Sequence, residues 1–236
     1  MTPFQYFCVV AFFYCPIASG IILNPTVMSL DINKGISAQF FITNNTTEQL
    51  PLEVSVHQLM FETSGSYHSS PVPTRSLMVF PPAALVKPGQ KQAFRVQWSG
   101  LDDLPASQSF FVRFSHIKLE PRAPAAHSSA PSVTTGSTHT GVNIQINYNA
   151  LLHVYSQQQR AKVVLQMNDT GTATLSNRGN RFTYTNQLTF EGMEPALQSR
   201  LQTTIGDRFM APSTMFIIEP GLTLPAGEYH GRENGL

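Results

Sequence analysis

The sequence predicts an all-β protein built from two β-sandwich domains. From Ile21 onward, short runs of alternating apolar and polar residues follow one another, with turn residues between them. No amphipathic stretch of helical period extends convincingly over ten residues. The chain also contains 16 Phe, 17 Pro and 15 Gly, a composition that favours many short strands over long helices. These three observations indicate the all-β class.

The composition argues against several function classes. Charged residues make up 12% of the chain and the formal net charge is +1, so there is no broad electrostatic field to attract nucleic acid or an anionic membrane. We therefore expect no nucleic-acid partner. The length of 236 residues allows one large domain or two modest ones, and the residue pattern favours two.

Residues 1–20 are predicted to be a secretory signal peptide. An apolar run around Phe7–Tyr14 precedes the small residues Ala18-Ser19-Gly20, which suit cleavage directly after them. No Lys or Arg precedes the apolar run, so an uncleaved amino-terminal anchor is the competing interpretation. Both cysteines, Cys8 and Cys15, fall in this segment, so we expect the exported chain to contain no disulfide and no Cys-based site.

The first predicted domain covers residues 21–155. Asn24-Pro25 opens a strand that continues to Leu30, and Asn33-Lys34-Gly35 forms a turn. A second turn is predicted at Pro88-Gly89. The later strands share an alternating apolar pattern, at Ile36, Ala38, Phe40 and Ile42; at Leu52, Val54 and Val56; at Ala93–Trp98; and at Phe110, Val112 and Phe114. Between Thr63 and Thr74, Gly, Ser and Pro break the periodicity and predict a loop.

Residues 120–140 differ in composition from the rest of the domain. Their Pro, Ala, Ser, Thr and Gly provide too little apolar surface to offset ordering entropy, so we predict a long mobile loop. An interdomain linker is the alternative. We favour the loop because residues 142–155 form a good strand that would make a hairpin with the strand before the loop. The pattern then restarts, which predicts a second, smaller β-sandwich over residues 156–236.

The strand after the loop carries the most informative pattern. Its alternation places an apolar row on one face and amide side chains on the other; the row consists of Val142, Ile144, Ile146 and Tyr148. On an interior strand this row would be ordinary core packing, which the pattern alone favours. At a sheet edge, the same row would be able to insert into a partner's sheet.

No motif indicates catalysis or metal binding. The seven histidines are scattered, and none has a spacing that offers two metal ligands on one element. The pair Asp102-Asp103 precedes Pro105 in a predicted turn, where acidic residues commonly cap or solubilise. We therefore expect no enzyme activity, no metal, no cofactor and no small-molecule substrate.

Several motifs occur in the order found in periplasmic chaperones of the chaperone-usher pathway, which assemble pili and fimbriae. They are Asn24-Pro25-Thr26, Ile42-Thr43-Asn44, Phe80-Pro81-Pro82, Val86-Lys87-Pro88-Gly89-Gln90, Phe94-Arg95-Val96, the strand with the apolar row, and Leu175-Ser176-Asn177-Arg178-Gly179-Asn180. Together these motifs cover nearly the whole chain after residue 20. With its long loop, the chain resembles the divergent, archaic or alternate branch of this family.

The resemblance implies two immunoglobulin-like domains in a boomerang arrangement and a location in the periplasm. It implies that the apolar row complements a pilus subunit that lacks one strand, in a one-to-one complex, and that the subunit is delivered to an outer-membrane usher. A secreted β-sandwich adhesin and a structural fimbrial subunit remain the alternative functions.

The resemblance also implies an anchor for the subunit's terminal carboxylate, which standard members form with an Arg on the first strand and a Lys near the end of the donor strand. This chain has Val27 at the first position and His153 near the second. The candidates that remain are Arg113 on the neighbouring strand and His153 in its protonated form. The alternative interpretations are a solvent-facing strand residue for Arg113 and an amphipathic edge residue for His153.

Overall fold

The computed structural model describes residues 20–71, 76–100, 104–117, 145–169, 171–218 and 224–234. The predicted signal peptide up to Ser19, the predicted loop 120–140, Val142 and Ile144 lie outside these residues. Strands dominate the described part, which confirms the all-β prediction. The buried apolar residues form two clusters, one from Leu30 to Val154 and one from Val163 to Ile218, in keeping with two domains. The exact boundaries of the two domains stay a prediction.

The described residues of the first domain form two facing sheets. The four-stranded sheet has the order β1-β3-β8-β6, and the six-stranded sheet has the order β2-β10-β9-β4-β5 with β7 also paired to β4. In chain order the strands are β1 (Ile21–Asn24), β2 (Val27–Asp31), β3 (Ser37–Asn44), β4 (Leu50–Phe61), β5 (Tyr67–Pro71), β6 (Leu77–Phe80), β7 (Ala83–Val86), β8 (Lys91–Trp98), β9 (Gln108–His116) and β10 (Asn147–Tyr155). Their pairing is antiparallel except between β2 and β10, which are parallel.

The alternating residues of the sequence form the core between these sheets. The buried set includes Phe40 and Ile42 on β3, Phe94 and Val96 on β8, and Phe110, Val112 and Phe114 on β9. The rings of Phe94 and Phe114 lie 5.0 Å apart and join the two sheets. Ile36, which continues the predicted pattern, precedes β3 and is exposed.

The two proline motifs mark the points where the chain crosses between the sheets. At Asn24-Pro25 the chain leaves β1 in the four-stranded sheet and enters β2 in the six-stranded sheet. At Phe80-Pro81 it passes in the same way from β6 to β7. Both peptide bonds are cis. Because proline has no N–H to donate, it suits a position where one ladder ends and another begins.

The loop predicted between Thr63 and Thr74 contains a strand. β5 pairs with the end of β4, and the hairpin closes where Glu62 N donates to the Ser66 carbonyl at 2.8 Å. The prediction was wrong here because every residue of β5 is exposed. Backbone pairing rather than burial holds this strand, so it has no apolar alternation.

The second domain has a five-stranded sheet of order β14-β17-β11-β12-β16, a two-stranded sheet β13-β15, one α-helix and a short 3-10 helix (Thr185–Gln187) in its described residues. These elements are β11 (Val163–Met167), β12 (Ala173–Asn177), β13 (Thr183–Tyr184), β14 (Leu188–Phe190), helix α1 (Pro195–Ile205), β15 (Phe209–Met210), β16 (Met215–Ile218) and β17 (Gly227–Glu233). The sequence pattern did not predict α1, because only Leu201 and Ile205 of this mostly polar segment are buried.

Helix α1 covers the edge strand β14 of the five-stranded sheet. Phe190 N donates to the Gln198 side-chain oxygen at 2.9 Å, and the Gln198 side-chain nitrogen donates to the Leu188 carbonyl at 3.2 Å. A glutamine of α1 thus satisfies backbone groups of the edge strand β14, which would otherwise be open to pairing with another chain. In the described part of the chain, α1 and every other helical stretch are too short or too polar to cross a bilayer.

Two of the sequence motifs contain a buried asparagine that is the last residue of a strand, Asn44 of β3 and Asn177 of β12. The Asn44 amide donates to the carbonyls of Glu48 and Val86 at 2.7 and 2.9 Å. The Asn177 amide donates to the Arg181 carbonyl at 2.8 Å. Each closes a turn at the end of a strand and satisfies carbonyls that the sheet does not use.

Candidate functional site

Strand β10 has different neighbours along its two halves. On one side β9 pairs with it from Asn147 to Val154. On the other side β2 pairs with it only from Leu151 to Tyr155, beginning where Leu151 N donates to the Thr26 carbonyl at 2.8 Å. Beside residues 147–150, no described strand lies on that second side. We call this stretch the free edge of β10.

The backbone direction at the free edge follows from its register. Because Leu151 N points toward β2, the residues of the same parity, Asn147 and Asn149, direct their N–H and C=O groups toward the open side. The intervening residues point toward β9, as the Ile146 carbonyl does when it accepts from His116 N at 3.0 Å. The free edge therefore offers two residues' backbone groups to an additional strand.

The apolar row emerges from the core at this edge. Leu152 and Ala150 are fully buried, Tyr148 is half-buried against the same core, and Ile146 is 46% exposed. Partial burial also raises the pKa of Tyr148. The described end of the row thus continues the inner face of the six-stranded sheet. Whether Val142 and Ile144 continue it stays a prediction.

Arg113 lies on the outer face of the same sheet, close to the free edge. Its Nε donates to the Asn149 side-chain oxygen at 3.1 Å, across the pairing of β9 with β10. No carboxylate among the described residues forms an ion pair with Arg113. On neighbouring β4, partial burial and the charge of Arg113 lower the pKa of His57. His57 is therefore neutral near pH 7, and Arg113 provides the positive charge on this face.

His153 has surroundings that do not suit a carboxylate anchor. It is fully buried, its ring nitrogens bond to Ser109 and Tyr184, and its ring packs against the rings of Phe182 and Phe209. Burial lowers its pKa from 6.5 to about 4, so the protonated form that would bind a carboxylate is disfavoured. This corrects both the anchor interpretation and the edge interpretation of His153: the second domain covers it. The alternation of β10 gave no signal of that cover.

The four-stranded sheet exposes apolar side chains on its outer face. Phe80 is 76% exposed and Met78 is 49% exposed. Together with Arg95 and Gln97 they line a surface depression of about 380 Å³. The Phe80-Pro81-Pro82 motif by itself gave no signal that Phe80 lies on an exposed apolar surface.

No family model and no curated protein matches the sequence. The fold, however, is similar to that of solved structures. A chain of the chaperone–tip adhesin complex of CFA/I fimbriae biogenesis has 12% identity and a TM-score of 0.59, with 92% of this chain and 94% of that chain covered. The class 5 fimbriae chaperone CfaA has 12% identity and a TM-score of 0.56, with coverage of 92% and 100%.

A third similar structure is a chain of the CsuC–CsuE chaperone–tip adhesion subunit pre-assembly complex, from archaic chaperone-usher Csu pili of Acinetobacter baumannii. It has 12% identity and a TM-score of 0.51, with 85% of this chain and 90% of that chain covered. These likenesses confirm the predicted pair of immunoglobulin-like domains, and the chain has the fold of the chaperones of fimbrial chaperone-usher systems.

Proposed function

We propose that the protein is a periplasmic chaperone that binds pilus or fimbrial subunits by donor-strand complementation and delivers them to an outer-membrane usher. The observation that carries the proposal is the free edge of β10 at residues 147–150, together with the emergence of the apolar row from the core at the adjacent Ile146. A fold shared with fimbrial chaperones supports it.

The edge geometry supplies what an incomplete sheet of a subunit lacks. A subunit strand that adds beside β10 would pair with the backbone groups of Asn147 and Asn149. Ile146 and Tyr148 would enter the subunit's apolar groove, where each buried side chain contributes about 1.5–3 kcal/mol before ordering costs. Val142 and Ile144 extend the row in this proposal. Another strand that competes for the same groove would release the subunit without covalent chemistry.

The end of the free edge supports a role for Arg113 in anchoring the subunit's carboxylate. A strand that runs parallel to β10 along the free edge must stop where β2 begins, at Thr26. Its terminal carboxylate would then lie beside Asn149, which already holds the Arg113 guanidinium. That guanidinium is about one strand spacing, near 5 Å, from the added strand. His153 has no part in this anchor.

Delivery to an usher needs a surface that stays free while the subunit occupies β10. The depression at Met78 and Phe80 lies on the other sheet and meets this requirement. We assign it to the usher. The variant Phe80→Asp is expected to form the chaperone–subunit complex normally and to block fibre assembly. A loss of the complex itself would contradict the assignment.

The test of the donor strand is co-expression with a fimbrial subunit followed by co-purification. Ile146→Asp, alone or with Ile144→Asp, is expected to lose the subunit because a carboxylate cannot enter an apolar groove. The matched control is Asn147→Asp, which adds the same charge at the next, exposed position on the opposite face. It should retain the subunit in a one-to-one complex.

Unchanged subunit recovery with Ile146→Asp would overturn the proposal, provided that circular dichroism shows the variant folded. Finished fibres distinguish the alternative functions. An adhesin or a structural subunit would be part of the fibre, whereas a chaperone is absent from it.

The anchor is tested with a peptide that matches the last strand of the co-purified subunit, made as the free acid and as the amide. The wild type is expected to bind the acid about tenfold more tightly, which corresponds to about 1.4 kcal/mol. Arg113→Gln should bind both forms equally. Arg95→Gln, the same change on the outer face of the other sheet, should keep the preference. An undiminished preference in Arg113→Gln would refute the anchor.

A further inference from the structure

The second half of β10 carries a histidine that lies between the two domains. His153 belongs to the first-domain sheet, yet its ring packs against two rings of the second domain that also contact each other. The centroid distance is 4.3 Å to Phe182, with an interplanar angle of 27°, and 4.7 Å to Phe209, with an angle of 12°. The imidazole is fully buried in this stack. It is therefore part of the contact that holds the domains together.

Both ring nitrogens of His153 are hydrogen-bonded, one to each domain. Nδ1 lies 2.8 Å from the Ser109 hydroxyl of β9, and Nε2 lies 3.0 Å from the Tyr184 hydroxyl of β13. Burial and the nearby Asp207 raise the pKa of Tyr184, so its hydroxyl keeps its proton. A neutral imidazole satisfies both bonds, with one nitrogen donating and the other accepting. A protonated imidazole has two donors and requires both hydroxyls to accept.

Among the described residues, no carboxylate contacts the imidazole to offset a charge there. The charged residues on or beside the elements around His153 are Asp31 on β2, Glu53 and Glu62 on and after β4, Arg113 on β9, Arg181 before β13, and Asp207 and Arg208 before β15. The other titratable residues there are His57, His116, Tyr148, Tyr155 and Tyr184. Of this described set, Tyr184 alone hydrogen-bonds to the imidazole. Arg181 lies instead over the Tyr155 ring, at 4.3 Å. Asp31 forms its ion pair with Lys34.

We propose that His153 is an acid-sensitive lock between the two domains, which is closed when its imidazole is neutral and opens when the imidazole takes up a proton. Protonation places an uncompensated charge in an aromatic stack and removes the acceptor that Nε2 or Nδ1 supplies. In the open form the ring is hydrated and regains its usual basicity, so proton binding favours opening. The lowered pKa, about 4 in the closed form, agrees with this direction.

A second contact between the domains is made by groups that do not titrate. Met215 N donates to the Thr63 carbonyl at the tip of the β4–β5 hairpin, at 2.7 Å, and the Phe61 and Phe209 rings lie 5.3 Å apart. Of these two contacts, the one at His153 should therefore respond directly to acid. Because β10 is one continuous strand, the contact at His153 also connects the free edge, which ends at Ala150, to the second domain.

The test measures the distance between spin labels, one on each domain, at several pH values. Lys87→Cys in an exposed turn and Arg200→Cys on the exposed face of α1 provide the label sites, since Cys8 and Cys15 are the only natural cysteines. The wild type is expected to show one narrow distance distribution near pH 7. The distribution should broaden or shift as the pH falls through about 4.

His153→Phe is the matched control, because it keeps a ring in the stack and every other titratable group but cannot take up a proton. Its distribution should be unchanged between about pH 7 and about pH 3.5, a range that spans the titration. An equal change in this variant, or no change in the wild type, would overturn the lock. Nitrogen NMR of the His153 ring in the wild type gives a second measurement if the variant does not fold. The ring must titrate at the midpoint of domain opening, and separate midpoints would refute the proposal.

Discussion

The two halves of β10 share one alternating pattern but differ in what covers each face. On the inner face, Ile146 emerges from the core whereas Leu152 is fully buried. On the outer face, Asn149 is exposed beside Arg113 whereas His153 is buried under the second domain. A period of two thus assigns each residue to a face, but the neighbouring strand and the neighbouring domain decide whether that face is core, interface or open surface.

This difference separates stability from partner binding within one strand. The second half has β9 and β2 on its two sides and the second domain on its outer face, so it holds the fold. The first half has one paired side and an emerging apolar row. A charge introduced in the second half should therefore mainly reduce stability, whereas a charge introduced in the first half should mainly reduce partner binding.

The largest expected effect on the free energy of unfolding comes from a charge placed in the second half of β10. Leu152→Asp buries an unpaired carboxylate and is expected to lower the free energy of unfolding by more than about 4 kcal/mol. Ile146→Asp, the same kind of change six residues earlier, should lower it by less than about 1 kcal/mol because the site is open to water. Urea unfolding followed by circular dichroism measures both. Equal destabilisation would show that the free edge is covered.

The next effect is a loss of stability in acid that depends on His153. Its pKa is lowered from 6.5 to about 4 in the folded protein, so the unfolded chain binds more protons between these values. The stabilisation is complete above about pH 6.5 and is lost as the pH falls to about 4, by about 3 kcal/mol in total.

The measurement is urea unfolding of the wild type and of His153→Phe across this range. The variant keeps all carboxylates, so the acid loss that remains in it belongs to other groups. The wild type should lose about 3 kcal/mol more than the variant. Parallel pH profiles would mean that His153 is hydrated in the folded protein, and the contrast between the two halves of β10 would disappear.

The sequence predicted the parts of the fold that burial alone determines. Phe40 and Val112 alternate with more exposed residues because each of their strands has one face in a core, and Pro88-Gly89 forms a turn with Gly89 at a φ of 71°. β5 was missed because it has no buried face. The cover over His153 depends on Phe182 and Phe209, which are distant in the chain, and no local pattern of β10 records them.

The edge of β14 differs from the free edge of β10 because a side chain of α1 bonds to its backbone. Gln198→Ala removes two hydrogen bonds to the backbone of β14 and is expected to cost about 1–2 kcal/mol of unfolding free energy. Ser199→Ala, at the next and exposed position of α1, should change it by less than about 0.5 kcal/mol. Light scattering should also detect self-association of Gln198→Ala only, because its edge strand is uncovered. A stable, monomeric variant would mean that the helix does not protect this edge.

The smallest expected effect on stability comes from a substitution on the outer face of the sheet at the free edge. Asn149→Asp places a carboxylate against Arg113, where Asn149 already accepts a hydrogen bond at 3.1 Å. An ion pair this exposed should raise the free energy of unfolding by no more than about 0.5 kcal/mol. It would nevertheless occupy the guanidinium that the anchor proposal reserves for a subunit's terminal carboxylate. The variant should therefore keep its urea midpoint and lose the preference for the free-acid peptide over its amide. Retention of that preference would show that the carboxylate binds elsewhere, and the outer face beside the free edge would then be only a solvated surface.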